Sequence, residues 1–272
     1  MKLSFQSITS KSNPRIVRAA KYADKKYRDE DGVFICEGIK LLREALLSGA
    51  HIREIYVSAE TEGHLPPDVL EQLASTKVDA CFVVPAEVFC KITTENAPQG
   101  VLAVVDKLDS VAQKRVSEPN ADEMVMLFES IRDPGNFGTL IRTAAAFGFD
   151  RLIVSADCTD VYNPKVIRAA MGAVFKIKID YCTDLKETIC SLQVGGRRTL
   201  AALPKEQALV AGRDSLRAND CVVIGNEGHG LSPETVAACS DAIYIPMQEN
   251  TESLNAAIAS SVLMWEIAKS NQ

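Results

Sequence analysis

The chain has 272 residues, which is enough for two domains of ordinary size. Its 47% of hydrophobic and 24% of charged residues are typical of a globular protein and exclude a fibrous or disordered chain. No apolar run reaches the roughly 20 residues that a membrane-spanning helix needs, and the N-terminal segment lacks the apolar core of a signal peptide. We therefore expect a cytoplasmic protein with no membrane partner.

The eight cysteines form no C-x-x-C pair, and most of them lie in apolar runs. Such cysteines are buried thiols far more often than disulfides or zinc ligands. The sequence therefore predicts no metal site.

The net charge of −6 conceals a basic segment at the N-terminus. Residues 1–28 carry eight basic side chains and one acidic side chain, and those that follow Asn13-Pro14 recur at helical spacing. The segment is either the solvated face of a helix or an element that contacts phosphates. Charge alone leaves both interpretations open.

A small α/β domain is predicted over residues 1–106. It alternates short apolar runs with amphipathic stretches. The predicted strands are 33–36, 55–57, 81–84 and 101–105, and the predicted helices are 38–47, 67–75 and 85–92. Residues 107–123 are polar, contain Pro119-Asn120 and lack apolar periodicity, so they are predicted to be a linker.

A second α/β domain is predicted over residues 124–272. Its predicted strands are 124–128, 151–154, 174–179, 199–203, 221–225 and 242–245, and its predicted helices are 138–147, 164–171, 184–193, 233–239 and 253–270. Such alternation predicts a mostly parallel sheet with helices on both faces. Ligands of these sheets bind at the carboxyl ends of the strands.

Three short blocks of the second domain follow predicted strands and combine glycine or proline with polar side chains. They are residues 133–142, 225–232 and 245–255. Glycine allows a ligand to approach the backbone closely, so the blocks predict one composite site. The G-x-G-x-x-G pattern of dinucleotide sites and the G-x-x-x-x-G-K-[ST] pattern of phosphate loops are absent from the expected places, which disfavours NAD, ATP and GTP.

The three blocks, in this order, resemble the three motifs of the SpoU/TrmH family of RNA ribose 2′-O-methyltransferases, within the SPOUT superfamily. The matching residues are Asn136, Gly138 and Arg142 in motif one, Gly225, Glu227, Gly228, Gly230, Leu231 and Ser232 in motif two, and Ile245-Pro246-Met247 with Ser253-Leu254-Asn255 in motif three. The first domain is similar to the RNA-binding accessory domain of the family at residues 34–38 and 99–101.

The resemblance implies a SPOUT domain with a deep trefoil knot and a mostly parallel sheet, preceded by a small α/β RNA-binding domain. It also implies S-adenosyl-L-methionine as the cofactor and a homodimer as the active form. The C-terminal helix, with Leu254, Ile258, Val262, Trp265 and Ile267, either contributes to the dimer surface or packs within one subunit.

The resemblance implies four catalytic residues: Arg142, Asn136, Asn255 and Glu227. Arg142 is expected to lie one turn into a helix that starts near residues 136–138, on the same side as Asn136, and to position the target ribose. Asn136 orients Arg142 or the ribose, or it caps the helix. Glu227 organises the cofactor loop or a partner arginine, or it is a turn carboxylate. Capping explains Ser253, and His229 is interpreted as a loop side chain.

The resemblance also implies the binding residues. The expected cofactor-binding residues are Leu203, Gly225, Asn226, Gly228, Ile245, Met247, Ser253 and Leu254. The expected RNA contacts are Arg15, Arg18, Lys25, Lys26, Lys165 and Arg168. The sequence departs from the family pattern at Glu249, where glycine is usual, and at Ala256-Ala257, where a valine and a serine are common.

The favoured function is 2′-O-methylation of structured RNA, with ribosomal RNA preferred as the substrate because of the accessory domain and the basic N-terminal segment. The alternatives are a tRNA 2′-O-methyltransferase, a non-catalytic RNA-binding or assembly factor on the same scaffold, and a Rossmann-type enzyme acting on a small metabolite.

Overall fold

The computed structural model describes residues 5–113, 116, 118–204, 208–248 and 253–270. The chain divides into two compact units. The first contains the residues up to Leu108 together with Asp160–Phe175, and the second contains Asp109–Thr159 and the residues from Lys176 onwards. None of the helices within the described ranges is long and apolar enough to cross a bilayer.

The first unit is built on a five-stranded mixed sheet in the order β1-β4-β3-β5-β2. Its strands are β1 Phe5–Ser7, β2 Val33–Glu37, β3 Ile52–Ser58, β4 Val78–Val84 and β5 Val101–Asp106. Its first five helices are α1 Pro14–Lys21, α2 Lys25–Asp31, α3 Ile39–Ser48, α4 Pro67–Ser75 and α5 Ala86–Ile92, and a short 3-10 helix covers Glu62–His64. β5 pairs antiparallel with β2 and β3, and the other pairs are parallel.

The basic N-terminal segment forms two capped helices. The Asn13 side chain accepts a hydrogen bond from the backbone N–H of Arg15 at the start of α1, and Asp24 does the same for Lys26 at the start of α2. α1 buries Ile16 in the core of the first unit. The helical spacing predicted after Asn13-Pro14 is therefore present, with one face packed against the sheet.

The second unit is built on an eight-stranded sheet in the order β11-β13-β10-β12-β7-β8-β9-β6. Its strands are β6 Val111–Gln113, β7 Val125–Phe128, β8 Arg151–Ser155, β9 Lys178–Cys182, β10 Thr199–Ala202, β11 Leu209–Val210, β12 Cys221–Ile224 and β13 Asp241–Tyr244. The helices after α5 are α6 Pro134–Ala146, α7 Pro164–Ala170, α8 Leu185–Val194, α9 Pro233–Ala238 and α10 Ala256–Lys269.

Every pair of neighbouring strands described in this sheet is parallel. All four residues of β7 and of β12 are buried, as expected for central strands covered on both faces. The predicted α/β fold with a mostly parallel sheet is confirmed, and the trefoil knot stays a prediction.

Several segments differ from the expectation at this level. The short strands β1 and β11 were not predicted. Val111–Gln113 lies within the predicted linker, but it forms β6 and pairs in parallel with β9. Such a short edge strand gains its order from the neighbouring strand, so its own sequence carries little periodicity. The strand predicted at 174–179 is a short 3-10 helix, Ala173–Phe175, followed by β9 from Lys178.

Helix α7 lies in the second predicted domain but packs in the first unit. Tyr162, just before α7, stacks on Phe34 of β2 with ring centroids 4.8 Å apart. Arg28 is only 2% exposed and donates hydrogen bonds to Asp160 Oδ2 at 2.6 Å and to the carbonyl of Tyr22 at 2.8 Å. The helical pattern of α7 predicted the helix, but it carries no information about which surface the helix covers.

All eight cysteines are free thiols. Five of them are buried, as expected, whereas Cys90 and Cys190 are exposed and Cys239 is intermediate. No group of three or more potential metal ligands occurs within the described ranges.

His51 joins strands of the first sheet through two carboxylates. Its Nδ1 lies 2.6 Å from Asp106 and its Nε2 lies 3.1 Å from Asp79. The hydrogen bond to Asp106, followed by that to Asp79, raises the pKa of the His51 imidazole above its ordinary value of 6.5. The protonated form is therefore stabilised in the folded protein, by a modest amount because the group is half exposed.

We expect the free energy of unfolding to contain a His51 contribution that is fully present below the unfolded pKa near 6.5 and is lost as pH rises through the raised folded pKa. Urea unfolding between about pH 5.5 and 9 should show a smaller loss of stability in His51→Gln than in the wild type. His64→Gln is the control, because the His64 ring contacts a backbone carbonyl rather than a carboxylate. If the free energy of unfolding fell equally steeply with pH in the wild type and in His51→Gln, this expectation would be contradicted.

Candidate active site

A cavity of about 370 Å³ lies at the carboxyl ends of β10, β12 and β13. These three strands are neighbours in the parallel sheet, so the loops that follow them converge. The volume falls in the range of about 300–1,000 Å³ that is usual for small-molecule sites. All eight expected cofactor-binding residues line it: Leu203, Gly225, Asn226, Gly228, Ile245, Met247, Ser253 and Leu254.

The lining is divided between apolar side chains and glycine-rich backbone. Leu203, Ile245 and Leu254 provide apolar surface, and the loop after β12 provides main-chain groups. This composition suits a ligand with a flat heterocycle, since apolar walls cover its faces and backbone groups can bond to its edge.

The loop after β12, residues 225–232, is closed on itself. The backbone N–H of Asn226 donates to the carbonyl of Gly230 at 3.0 Å, and the N–H of Gly230 donates back to Asn226 at 3.0 Å. A Cβ atom placed on Gly225 would lie 2.2 Å from the carbonyl carbon of Gly230 and 2.3 Å from the backbone nitrogen of Leu231. Gly225 is therefore required by the close approach of two backbone segments.

Three of the four predicted catalytic residues are joined by hydrogen bonds. The Asn136 side chain donates to Glu227 Oε1 at 2.9 Å, and the Asn255 side chain donates to Asn136 Oδ1 at 3.2 Å. The three motifs therefore meet at one point beside the cavity.

The structure decides two alternatives that the sequence left open. Asp133 caps α6 by accepting from the N–H of Asn136, so the Asn136 side chain is free to bind Glu227 and does not cap the helix. The cap of α10 is Asn255, which accepts from the N–H of Ala257 at 2.9 Å, so the expectation that Ser253 caps this helix is wrong. Glu227 accepts a hydrogen bond from the motif-one residue Asn136, and its role in organising the cofactor loop stays a prediction.

We expect the side chains of Asn136 and Glu227 to be energetically coupled, because each loses its partner when the other is removed. A double-mutant cycle of Asn136→Ala and Glu227→Ala, measured by calorimetric titration of S-adenosylhomocysteine, should give a coupling energy of about 1 kcal/mol. The control pair, Asn136→Ala with Asp184→Ala at the start of α8, should be additive within about 0.5 kcal/mol. An additive result for Asn136 and Glu227 would count against a shared network.

Arg142 forms no hydrogen bond with this network in the described ranges. Because α6 begins at Pro134, Arg142 is about 12 Å along the helix axis from its start and about 120° around the axis from Asn136. Arg142 therefore lies about two turns into the helix instead of the expected one turn. That it faces the same opening as Asn136 stays a prediction. Its side chain is exposed and has no hydrogen-bond or ion-pair partner in the part of the chain that the structure describes.

His229 and the two departures in motif three also have defined places. His229 is an exposed loop residue at the rim of the cavity, as expected. Ala256 and Ala257 are buried in the first turn of α10, and Ala256 lines the cavity. Glu249 lies outside the described residues.

Sequence reasoning missed Glu129, which follows β7. Its carboxylate accepts hydrogen bonds from the backbone N–H and the hydroxyl of Ser232, at 2.8 and 2.7 Å, and from the hydroxyl of Thr235 at 2.7 Å. The available signal was a carboxylate at the carboxyl end of a central strand, where unpaired charge is costly. Ser232 caps α9 with Pro233 in its first turn, as its sequence predicts.

Three of the expected RNA contacts are held in ion pairs of the first unit. Arg15 pairs with Glu54, Arg168 pairs with Glu95, and Arg18 binds Asp31 with two hydrogen bonds of 2.6 Å.

The electrostatics of the Arg18 pair follow from that geometry. The hydrogen bond from Arg18 lowers the pKa of Asp31 to about 2, so this pair is ionised throughout the neutral range. Lys25, Lys26 and Lys165 are exposed, and Lys26 lies 5.6 Å from the centre of the Tyr27 ring. The lysines, more than the arginines, are free to meet phosphates.

Both parts of the chain match families of known proteins. Residues 123–265 match the SpoU rRNA methylase family, and residues 13–103 match the MRM3-like substrate binding domain. An uncharacterised tRNA/rRNA methyltransferase of Synechocystis is 30% identical over 96% of this chain and 92% of its own length. The 23S rRNA guanosine 2′-O-methyltransferase RlmP of Bacillus subtilis is 28% identical over 96% of this chain and 99% of its own length.

A solved structure extends this likeness to the fold. The AdoMet-bound rRNA methyltransferase of Sinorhizobium meliloti superposes with a TM-score of 0.79 at 27% identity, and covers 98% of each chain. The chain belongs to the SpoU rRNA methylase family. The prediction of this family from three motifs is confirmed, and so is the predicted enzyme class, an RNA methyltransferase.

Proposed function

We propose that the chain transfers a methyl group from S-adenosyl-L-methionine to a ribose 2′-hydroxyl of structured ribosomal RNA, and that it does so as a cytoplasmic homodimer. The observation that carries the proposal is the meeting of Asn136, Glu227 and Asn255 beside a cavity at the strand ends. The names of the related proteins, which act on rRNA as guanosine 2′-O-methyltransferases, support the substrate class.

The residues around the cavity fit this cofactor. Gly225 leaves room where a side chain would collide with backbone, and Leu203, Ile245 and Leu254 offer an apolar slot for adenine. Met247 and Ser253 also line the cavity, together with residues of α10. When bound, the cofactor supplies an electrophilic methyl group on a sulfonium.

The protein must align the ribose and stabilise the oxygen as its proton leaves. Arg142 is the exposed cation of motif one, and its planar guanidinium can hold an RNA phosphate with two hydrogen bonds. A guanidinium stays protonated in proteins, so Arg142 acts by position and charge, and the proton passes to a substrate phosphate or to water. Asn136 and Asn255 orient the groups at the mouth of the cavity.

The dimer proposal is supported by α10. This helix buries Leu263, Met264 and Ile267 in its own unit, which assigns part of its apolar surface to the core. Ile258 and Trp265, seven residues apart on one face, remain 56% and 47% exposed. Two large apolar side chains in register on a helix suit a subunit interface.

RNA binding by the first unit is supported by Lys25, Lys26 and Lys165, which are exposed. The first unit also includes the match to a substrate binding domain. The cytoplasmic location stays a prediction, because the related proteins include both bacterial and mitochondrial enzymes.

Tritium transfer from labelled cofactor to RNA tests the activity directly. Ribosomal RNA from cells that lack the protein should accept the label, and ribosomal RNA from wild-type cells should not, because its site is already methylated. If only tRNA accepted the label, the substrate would be tRNA and the proposal of an rRNA substrate would be wrong. If neither RNA accepted the label although the protein still bound RNA, the protein would be a non-catalytic assembly factor.

A further inference from the structure

The connection between β7 and α6, residues 129–133, holds the loop after β12 at its C-terminal end. Glu129 receives three hydrogen bonds there, two from Ser232 and one from Thr235, at 2.7 to 2.8 Å. The two hydroxyl groups donate to Oε1 and the backbone N–H donates to Oε2, so both carboxylate oxygens are used. Hydrogen bonds to an ionised acceptor are stronger than those between neutral groups.

The same connection holds the other end of the loop through Ser130. The carbonyl oxygen of Ser130 accepts a hydrogen bond of 2.8 Å from the side chain of Asn226. Ser130 has φ of 57°, a left-handed conformation that costs energy in any residue other than glycine. The conformation is maintained by hydrogen bonds from its hydroxyl to Asp157 at 2.6 Å and from its N–H to Ser155 at 2.8 Å.

The middle of the loop has one further side-chain attachment, the hydrogen bond from Asn136 to Glu227 at 2.9 Å. Residues 227–230 are exposed, and the Asn226 side chain orders them by accepting from the backbone N–H of Gly228 at 2.7 Å. A loop with few buried apolar contacts opens easily unless polar contacts fix it. The backbone of this loop therefore depends on its attachments to residues 129 and 130 at its two ends, in addition to the Asn136 contact in its middle.

We propose that Glu129 and Ser130 are positioning residues that hold the loop in the form that binds S-adenosyl-L-methionine. This inference rests on the proposed function. Neither residue is among those that line the cavity in the described part of the chain. Glu129 and Ser130 must then affect cofactor binding by changing the fraction of molecules whose loop is closed. The apparent dissociation constant of the cofactor rises as that fraction falls.

The test is calorimetric titration of the full chain with S-adenosylhomocysteine, which reads binding without RNA or catalysis. Glu129→Ala should bind about tenfold more weakly than the wild type, because it loses all three hydrogen bonds. Glu129→Gln should recover most of the affinity, since its amide oxygen can accept from the N–H of Ser232 while the hydroxyls accept from its amide nitrogen. Asp184→Ala, which removes an N-cap carboxylate from α8 of the same unit, is the matched control and should bind as the wild type does.

Hydrogen exchange provides the second measurement. The amides of Asn226 and Gly230 bond to each other's carbonyls in the closed loop, so their exchange should accelerate in Glu129→Ala. The acceleration should exceed the factor by which the affinity falls, because the closed fraction drops tenfold only after the opening equilibrium of a mostly closed loop has risen by far more than tenfold. If amide exchange in Glu129→Ala instead accelerated throughout the second unit, with no more effect on residues 226 and 230 than Asp184→Ala has, the proposal would be overturned. Such a result would mean that the substitution lowers the stability of the whole unit.

The failure of this inference is distinguishable from the failure of the proposed function. A wild-type chain that does not bind S-adenosylhomocysteine overturns both. A wild type that binds it, with Glu129→Ala binding equally well, overturns only the positioning role. If Glu129→Ala lacks a cooperative thermal transition and is therefore unfolded, the same titration is carried out on Thr235→Val, which removes one of the three hydrogen-bond donors to Glu129. A threefold or greater weakening supports the role, and wild-type affinity overturns it.

Discussion

Replacing Arg142 by alanine should reduce the rate of methyl transfer by about 10²- to 10³-fold while leaving the affinity for S-adenosylhomocysteine unchanged. The reason is the position of Arg142 on the exposed side of α6, away from the cavity lining and without a partner in the part of the chain that is described. A cation in that place can act on RNA or on the reacting oxygen, but not on the cofactor pocket of its own chain. Single-turnover transfer of a tritiated methyl group, with RNA at saturation, measures the effect.

Two further variants sharpen this result. Arg142→Lys keeps the charge but loses the planar fork that holds a phosphate with two bonds, so it should recover only part of the rate. Lys186→Ala removes an exposed cation from α8, which carries no motif residue, and should leave the rate unchanged. Full activity in Arg142→Ala, with normal RNA binding, would remove Arg142 from the mechanism.

Replacing Gly225 by alanine should abolish binding of S-adenosylhomocysteine. The added methyl group would lie 2.2 to 2.4 Å from the backbone atoms of Gly230 and Leu231. Because all three of these atoms are backbone atoms, no rotamer change can relieve the collision, so the closed loop of residues 225–232 must open or shift. Because that loop forms one wall of the cavity, we expect at least a 100-fold loss of affinity by calorimetry, which corresponds to about 2.7 kcal/mol.

The same loop provides a matched control for this variant. A Cβ atom on Gly228 would meet only the side-chain oxygen of Asn226, at 3.3 Å, and that side chain can move by a few tenths of an ångström. Gly228 itself lines the cavity, so Gly228→Ala should lose some affinity, but at least about tenfold less than Gly225→Ala. Equal affinity of Gly225→Ala and wild type would mean that the loop is not part of the cofactor site.

The site was predictable from the sequence where local chemistry determines it. A glycine between a strand and a polar turn marks a close approach of backbone, and Gly225 is such a residue. Ser232 before Pro233 marks the start of a helix, and α9 starts there. The eight expected cofactor-binding residues come from the family resemblance, and each of them lies just after a parallel strand or just before α10.

The remainder depends on contacts between distant parts of the chain. Glu129 looks like an ordinary polar residue after a strand until Ser232 and Thr235 are placed against it. Arg15 and Arg18 look like phosphate contacts until Glu54 and Asp31 are found beside them. A count of charges along a sequence does not show such ion pairs. The basic N-terminal segment therefore has fewer side chains available for RNA phosphates than its composition indicates.

The path of the chain limits how the protein can be divided into fragments. The chain enters the first unit again at Asp160 and leaves it after Phe175, so no single cut separates two complete units. A fragment that ends at residue 106 lacks Asp160 and Tyr162. It would leave the guanidinium of Arg28 without its carboxylate and uncover Phe34, and an uncompensated buried charge alone costs about 3–5 kcal/mol. An autonomous RNA-binding fragment therefore needs the segment 160–175 joined back to it, and proteolysis between residues 107 and 123 should leave the two pieces associated.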